Sequence, residues 1–552
     1  VDGSDDAHRL ALLSRSGSLL GTSLDVPATI AALGQLLVPT LADHCVIDLV
    51  DDAGRPVRLA VVHAEGTGGE AASWEPVGRR VDYPAVHPSA EALRTGRVVH
   101  VPEVLSQDVE SAAPTPESAA YARRVGLREA LCLPLRARGV TRGVLSLATS
   151  VSGRSYSAAD IELLREVTAR AALALDNALL FTEQRALALT LQRSLLPAAL
   201  PDLDGIEVAS RYLPGRDAEV GGDWYDVIPL SAGRVGVVIG DVQGRGAPAA
   251  ALMGQLRAVV RAYAHLDVEP QRLLGHVDEL VRGLGLDVLV TCTYLAYDPW
   301  TRRAVVASAG HPPPLMAEGS GCAALPIPAG PPLGVGGVPF VQRGVQVPPG
   351  GRLALYTDGL VDRRGGDFEV ALRVLCAAVG AAGATPEQAC DAALSALGDP
   401  PDDDRALLVL RTATEDLPYS QVPLAAELTS VSEARSHAVD VVKAWGFGEH
   451  ADLVELLVSE LVTNALRYAS PTSPVSGASE EDPTSVRLRM RRGRSALWAE
   501  VFDPDLRLPR LRLAGDRDEG GRGLYLVDAL ASRWGTRPTR SGKIVWFEVS
   551  LH

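Results

Sequence analysis

The chain has 552 residues, which at roughly 150 per domain excludes a single-core protein and points to three or four domains. Its 53 Lys and Arg against 68 Asp and Glu leave a net charge of -15 with no basic arm, which excludes nucleic-acid binding by phosphate neutralisation. A composition 47% hydrophobic and 22% charged excludes global disorder, while 53 Gly and 38 Pro announce many turns.

In chain order, residues 10–20 and 30–41 carry helical apolar spacing. Residues 44–50 and 57–62 read as two strands around a turn, and 130–135 with 144–148 as a second pair hinged at Ala137-Arg138-Gly139. A small antiparallel sheet flanked by helices is expected for 1–156. Residues 157–196 contain neither Pro nor Gly, and Ile161, Leu164, Val167, Ala171, Ala174, Ala178 and Phe181 step by three and four. The pattern predicts one long helix within a linker, 157–198, opened by Ser157 with Asp160 and stopped by Pro197. Its heptad spacing favours a dimeric signalling helix over one packed on its own domain. The block 199–413 is rich in strands (234–239, 289–297, 304–308, 352–356 and 406–411), broken by helices at 249–265 and 371–380. Residues 413–420 read as a joint. In 421–552, helices at 431–445 and 453–468 precede a polar loop at 470–484, strands at 486–490 and 496–502, a helix at 524–532 and a strand at 543–550.

The longest apolar run, 374–384, is eleven residues with two glycines, against about twenty for a membrane span; no membrane segment is expected. The N-terminal Val1-Asp2-Gly3-Ser4-Asp5-Asp6 lacks the basic and apolar regions of a secretory signal, so a cytoplasmic location is expected. Cys45, Cys132, Cys292, Cys322, Cys376 and Cys390 form no C-x-x-C pair. Neither a structural zinc nor a disulfide framework is expected.

Four acidic turns mark the middle block: Gly221-Gly222-Asp223-Trp224-Tyr225-Asp226, Gly240-Asp241-Val242-Gln243-Gly244-Arg245-Gly246, Tyr356-Thr357-Asp358-Gly359 and Asp402-Asp403-Asp404. A carboxylate at a strand end has a rigid backbone and an exposed head, as a hard oxygen-seeking cation requires. Two such ions about 4 Å apart can activate water and hold a phosphoryl group. His311, in Ala309-Gly310-His311-Pro312-Pro313-Pro314, reads as a turn-stabilising residue. In this order, and preceded by Leu191-Gln192-Arg193-Ser194-Leu195-Leu196-Pro197, the motifs resemble the SpoIIE/RsbU-type serine phosphatases of the metal-dependent, type 2C-like class. The resemblance implies a β-sandwich flanked by helices and a dinuclear Mn²⁺ or Mg²⁺ site. Asp241 and the Val242 carbonyl would bridge the ions, and Asp358 and Asp403 would be further ligands. Asp223 would bind directly or through water, Asp404 could exchange roles with Asp403, and Asp226 is a weaker candidate.

On the helix at 453–468, Glu460 and Asn464 share a face. Downstream, Glu519-Gly520-Gly521-Arg522-Gly523-Leu524 opens a helix whose amides can cradle phosphate, and Phe502-Asp503 ends a strand. With the closing Gly542-Lys543-Ile544-Val545-Trp546, residues 421–552 resemble the ATP-binding domains of RsbW-related anti-sigma-factor serine kinases. This implies a GHKL-type α/β sandwich with Mg²⁺ on Asn464, Glu460 as the catalytic base, Asp503 at adenine, and Gly520, Gly521 and Gly523 under the phosphates. Pro504, Asp505 and Leu506 replace the glycines that often follow the adenine Asp. In 1–156, the stretch Gly126 to Leu135, the hairpin partner Arg142 to Leu147 and Tyr156-Ser157 resemble a GAF sensory domain with an unknown small-molecule ligand; none of His44, His63, His87 and His100 stands out as a haem ligand.

The expected fold is multidomain α/β (α+β): GAF sheet, signalling helix, phosphatase sandwich and ATPase sandwich. The resemblances imply a GAF-regulated serine phosphatase that acts on a phosphorylated anti-anti-sigma (STAS) protein in sigma-factor partner switching, as a homodimer. In the alternative, the C-terminal domain is a non-catalytic module that binds ATP or a sigma factor.

Overall fold

A computed structural model describes residues 3–20, 23–51, 53–64, 77–215, 221–285, 288–319, 321–362, 367–381, 383–398, 403–425, 427–468, 486–509, 523–539 and 541–551. The chain divides into two compact units, Val1–Leu187 and Ala188–His552. Among the described residues no helix is long and apolar enough to cross a membrane.

In the first unit, helices α1 (Gly3–Leu20) and α2 (Val26–Leu37) precede strands β1 (His44–Val50) and β2 (Pro56–His63). Then come α3 (Pro88–Thr95), β3 (Val99–Val101), α4 (Ser106–Ala112), α5 (Pro116–Val125), β4 (Glu129–Ala137), β5 (Val140–Thr149) and most of α6 (Ala158–Leu195). The strands form one antiparallel sheet, β2-β1-β5-β4-β3. The Asp25 carboxylate caps the Ala28 amide at the start of α2. Pro39 disfavours helical backbone at Val38, so the helix ends at Leu37 rather than running to 41.

Alternate residues of β4 (Leu131, Leu133 and Leu135) are buried with Leu164, Val167, Ala171 and Leu175 of α6 in one core. The seam that suggested a dimer helix is thus spent, in this half of α6, on its own unit. Over so few turns a 3.5-residue and a 3.6-residue repeat diverge too little to separate the two uses.

The second unit continues with β6 (Ile206–Leu213), β7 (Trp224–Pro229), β8 (Val235–Val242), α7 (Ala247–His265), α8 (Pro270–Gly283), β9 (Val290–Asp298), β10 (Arg303–Ala309), β11 (Leu315–Glu318), β12 (Gly321–Ala324), β13 (Ala329–Gly330), β14 (Gln342–Gln346), β15 (Arg352–Tyr356), α9 (Phe368–Val379), α10 (Pro386–Leu397) and β16 (Arg405–Thr412). The sheets β13-β10-β9-β8-β7, with β14 beside β10, and β12-β11-β15-β16-β6 face one another. In β16, Ala406, Leu408 and Leu410 enter the core shared by the two sheets, and Leu407 and Val409 face the outer core that holds α9 and α10. Burial on both faces makes the strand a continuous apolar run. Helices α7 and α8 pack on the other sheet.

Contrary to expectation, Cys322 on β12 and Cys376 on α9 form a disulfide. Their Cα atoms lie 5.4 Å apart across 54 residues of sequence, a proximity that local spacing does not encode. The other four cysteines are free and buried.

The remainder comprises β17 (Tyr419–Pro423), α11 (Ser430–Ala444), α12 (Ala451–Tyr468), β18 (Arg487–Arg492), β19 (Ala496–Asp503), α13 (Gly523–Leu530), β20 (Arg533–Pro538) and β21 (Lys543–Ser550), with sheet order β17-β18-β19-β21-β20. Part of the expected joint is β17, the edge strand. On β19, Leu497, Ala499 and Val501 face the core beneath α11 and α12, while Ala496 and Trp498 face the preceding domain and pack with Ala232 and Trp300.

Beside that aromatic contact lies a buried ionic layer. Fully buried Arg491 reaches Asp298 at 2.7 Å, Glu500 at 3.0 Å and the Ala232 carbonyl at 3.1 Å. Arg537 pairs with Glu500 at 3.1 Å, and Arg234 with Asp267. Burial alone would raise the Asp267, Asp298 and Glu500 carboxyls, but the neighbouring arginines more than reverse it and hold all three below their ordinary values.

Candidate active sites

Four elements of the sandwich bring carboxylates together. Asp223 leads into β7, Asp241 lies at the end of β8, Asp358 follows β15, and Asp403 and Asp404 precede β16. Burial, then repulsion from Asp358, pushes the Asp241 carboxyl up to about 6. Burial and the charges of Asp241 and Asp404 push Asp223 well up, and burial with Asp403 raises Asp358. Mutual repulsion of this kind is the signature of acids close enough to share a cation.

Glycines permit the approach. A Cβ on Gly221 would fall 1.0 Å from Asp404 Oδ2, and one on Gly222 2.0 Å from the Val242 carbonyl oxygen. Among the described residues no three His, Cys, Asp or Glu side chains already form a metal cage. An arrangement in which each ion takes one or two carboxylates, a carbonyl and waters fits this donor set better, as Mg²⁺ prefers. Asp402 lies outside the described residues.

The structure separates the expected ligands. Asp404 is 5% exposed and accepts from Tyr212 Oη at 2.5 Å and from the Gly215 amide at 2.8 Å, so both its oxygens are engaged. Asp403 faces Arg245 at 3.5 Å. Asp226 stands apart in an ion-pair role: Arg257 meets it at 3.1 Å and Arg261 at 2.9 Å, both from α7. Arg257 also donates to the Leu195 carbonyl at 2.5 Å, which ties the last turn of α6 to the helix that follows the Asp241 loop.

Two side chains support the acids: Thr357, which went unnoticed in the sequence, and His311, read there as turn-stabilising. Thr357 donates to Asp223 at 2.7 Å and accepts from the Ala406 amide at 2.9 Å. Its place in Tyr356-Thr357-Asp358 was the available signal. Fully buried His311 has its pKa pushed down to about 3 by burial. As a neutral ring it donates from Nε2 to the Tyr356 carbonyl at 3.1 Å and accepts at Nδ1 from Thr291 at 2.8 Å. Thr291 pairs with Asp241 across the sheet, so the histidine links the strand beside Asp241 to the strand that leads to Asp358.

In the C-terminal domain, α12 and α13 bring Glu460, Asn464 and Gly523 together. A Cβ on Gly523 would lie 2.3 Å from Glu460 Oε2 and 3.5 Å from Asn464 Nδ2. Asp503, 4% exposed, is held by Lys543 Nζ at 2.7 Å and accepts the Asp505 amide at 2.8 Å. Burial raises its carboxyl, with Lys543 offsetting part of the rise. Lys543, which opens the last strand, was not among the expected site residues. Gly520 and Gly521 lie outside the described residues.

Comparison with known families accounts for most of the chain. Residues 23–176 match the GAF domain model, 231–413 the stage II sporulation protein E (SpoIIE) model, and 424–549 the histidine kinase-like ATPase domain model. The chain carries these three domains in that order. It is 28% identical over 165 residues to the phosphoserine phosphatase RsbP of Bacillus subtilis, covering 29% of this chain and 40% of that one. To RsbU of the same organism, also a phosphoserine phosphatase, it is 23% identical over 128 residues, covering 23% and 37%. The chain therefore spans about two-fifths of the length of these curated relatives. The crystal structure of the RsbU and RsbW domains of Rv1364c from Mycobacterium tuberculosis aligns with 64% of this chain and 95% of its own, at 25% identity and a TM-score of 0.39.

The GAF domain holds a largely apolar cavity of about 220 Å³ whose lining includes His44, His63, His87 and Tyr121. The Nδ1 atoms of His44 and His63 lie 2.9 Å apart, each 3.1 Å from Tyr121 Oη. His100 instead pairs with Glu129. Burial, with the nearby charges of His63 and Arg58 respectively, pushes His44 and His87 down to about 4. The folded domain keeps these rings neutral while the unfolded chain protonates them near 6.5. Their contribution to stability is thus complete above about pH 6.5 and lost as pH falls toward 4. Hydrogen exchange in β1 and β5, corrected for intrinsic rates, should be faster at about pH 5 than at about pH 7; equal or greater protection at the lower pH would contradict this.

Proposed function

We propose that the SpoIIE domain is a divalent-metal-dependent protein-serine phosphatase acting on a phosphorylated anti-anti-sigma (STAS) protein, under control of the GAF domain. The observation that carries this reading is the convergence of Asp223, Asp241, Asp358, Asp403 and Asp404, where burial and the neighbouring carboxylates raise the pKa of Asp223, Asp241 and Asp358. Mn²⁺ or Mg²⁺ bound there supplies a water of lowered pKa and neutralises phosphoryl oxygens. Asp241, the Val242 carbonyl, Asp223, Asp358 and Asp403 are the groups that would hold the ions. Asp404, with both oxygens engaged, takes second place to Asp403. Arg245, partly exposed beside Asp403, is placed to orient a phosphate oxygen. Hydrolysis of p-nitrophenyl phosphate should require Mn²⁺ or Mg²⁺ and stop on chelation; metal-independent hydrolysis would refute the assignment.

The Arg257 link between Leu195 and Asp226 supports control through α6. Inserting two residues between Gln184 and Arg185 turns the helix by about 200° and should change the basal phosphatase rate; an unaltered rate would count against that route.

In the ATPase domain, Asn464 would hold Mg²⁺, Glu460 would accept the proton of a substrate serine, Asp503 would receive the adenine amino group, and Gly520, Gly521 and Gly523 would approach the phosphates. A second reading, nucleotide or sigma-factor binding without transfer, is favoured by the Lys543 ion pair, because the adenine would share a carboxylate already held by an ammonium. Label should pass from ATP to a STAS protein and be lost in Glu460→Ala. No transfer by the unaltered chain, with ATP still bound, would establish the second reading.

A further inference from the structure

A second cleft in the GAF domain, of about 480 Å³, lies where the β3–β4 edge of the sheet meets α6. Arg97, just beyond α3, Arg136 on β4 and Arg165 on α6 line it, and among the described residues no acidic side chain does. In a chain of net charge -15, three guanidinium groups around one hollow repel one another unless an anion lies between them. Arg136 rests on the turn that carries Arg97. A Cβ on Gly96 would come within 3.5 Å of its Cζ, and Gly96, at φ 65°, is the left-handed residue that ends α3.

The cations are poorly compensated by the protein itself. Arg165 has Glu162 at 4.0 Å, and Arg136 reaches the Gly139 carbonyl at 3.4 Å. Arg97 makes no ion pair among the described residues. An independent observation comes from Thr168, which lines the same cleft about one turn beyond Arg165. It is 2% exposed, and its buried hydroxyl has no hydrogen-bond partner among the described residues. A helical threonine commonly bonds the carbonyl four residues back; this one keeps its capacity unspent. Val98, Leu133 and Pro134 supply apolar wall.

We propose that this cleft binds a small phosphate-bearing molecule with an apolar body, its phosphate gripped by Arg97, Arg136 and Arg165 with the Thr168 hydroxyl as a further donor. Planar guanidinium forks match phosphate oxygens in pairs, and the volume is that of an ordinary small-molecule site. Two of the four groups stand on α6 and two belong to the sheet edge, so the ligand braces helix against sheet. The site is separate from the histidine-lined cavity and does not depend on the chemistry proposed for the other two domains.

The test is calorimetric titration of the full chain, in chelator at constant ionic strength, with phenyl phosphate and with inorganic phosphate. Saturable binding of phenyl phosphate is expected, tighter than that of inorganic phosphate. It should weaken by about tenfold or more in Arg97→Ala/Arg165→Ala and by a smaller factor in Thr168→Val. Both arginines are exposed, and unchanged thermal unfolding of the double variant checks that the fold is intact. Absence of saturable binding, or equal affinity in the double variant, would overturn the proposal; inorganic phosphate binding as tightly as phenyl phosphate would overturn the apolar-body part.

Discussion

Replacement of Asp241 by asparagine is expected to lower metal-dependent phosphatase activity by about 10³-fold, the equivalent of the several kcal/mol a bound cation supplies to phosphoryl chemistry. Stability should move the other way. Burial and the charges around Asp241 push its carboxyl up to about 6, so near pH 7.5 the metal-free protein holds this group ionised against an opposing field. A folded-state pKa raised above the ordinary 3.8 means stability is lost as pH rises through that window. An amide of the same shape removes the charge, and thermal unfolding in chelator should occur at the same or a higher temperature than for the unaltered chain. A variant that keeps its activity, or unfolds several degrees lower without metal, would contradict the metal-site reading. Asp226→Asn is the contrasting case: it removes the partner of Arg257 and Arg261 and should cost stability with or without metal.

The second large effect is expected at Arg491. Its substitution by methionine leaves Asp298 and Glu500 without the guanidinium that both contact, and breaking a buried pair by removing one member costs about 3–5 kcal/mol. The same change removes a cation stacked 5.4 Å from the centre of the Trp300 ring, while Trp300 and Trp498 meet edge to face at 5.3 Å. Denaturant unfolding followed by tryptophan fluorescence should therefore shift to lower denaturant and separate into two transitions as the SpoIIE and ATPase domains part. Arg494, which pairs with Asp202 and Asp204 at the exposed rim, is the control: its alanine variant should cost about 1 kcal/mol or less. Equal losses at the two positions would mean that the buried layer does not hold the domains together.

The strand-end placement of the acids in the SpoIIE domain was legible because each lies at or beside the end of a strand, and a strand fixes the direction of its last residue. Their supports were not. Tyr212 and Asp404 are 192 residues apart, and Thr357 and Asp223 are 134; nothing local marks a hydroxyl that will meet a distant carboxylate. Asp226 shows the limit from the other side. It follows Asp223 in one motif, yet two residues after Trp224 it is already in β7, beside the arginines of α7. Arg491 sits in Arg487-Leu488-Arg489-Met490-Arg491-Arg492, just past the strand expected at 486–490, and nothing local marks it as buried; the opposing domain covers it and makes it a fully buried charge.

The sequence by itself determined the order of the three domains, the extent of the long helix, the strand-end placement of the acids and the pairing of Glu460 with Asn464 on one helical face. All of these depend on periodicity or on spacing within a few residues, where backbone geometry transmits directly from residue type to position. The tertiary structure alone decided that the first half of α6 packs into the GAF core, that Cys322 meets Cys376, that Lys543 holds Asp503, and that Arg491 joins two domains. Each of these depends on which face of one element meets which face of another. That choice follows from the burial of whole apolar surfaces, summed over many residues far apart in the chain.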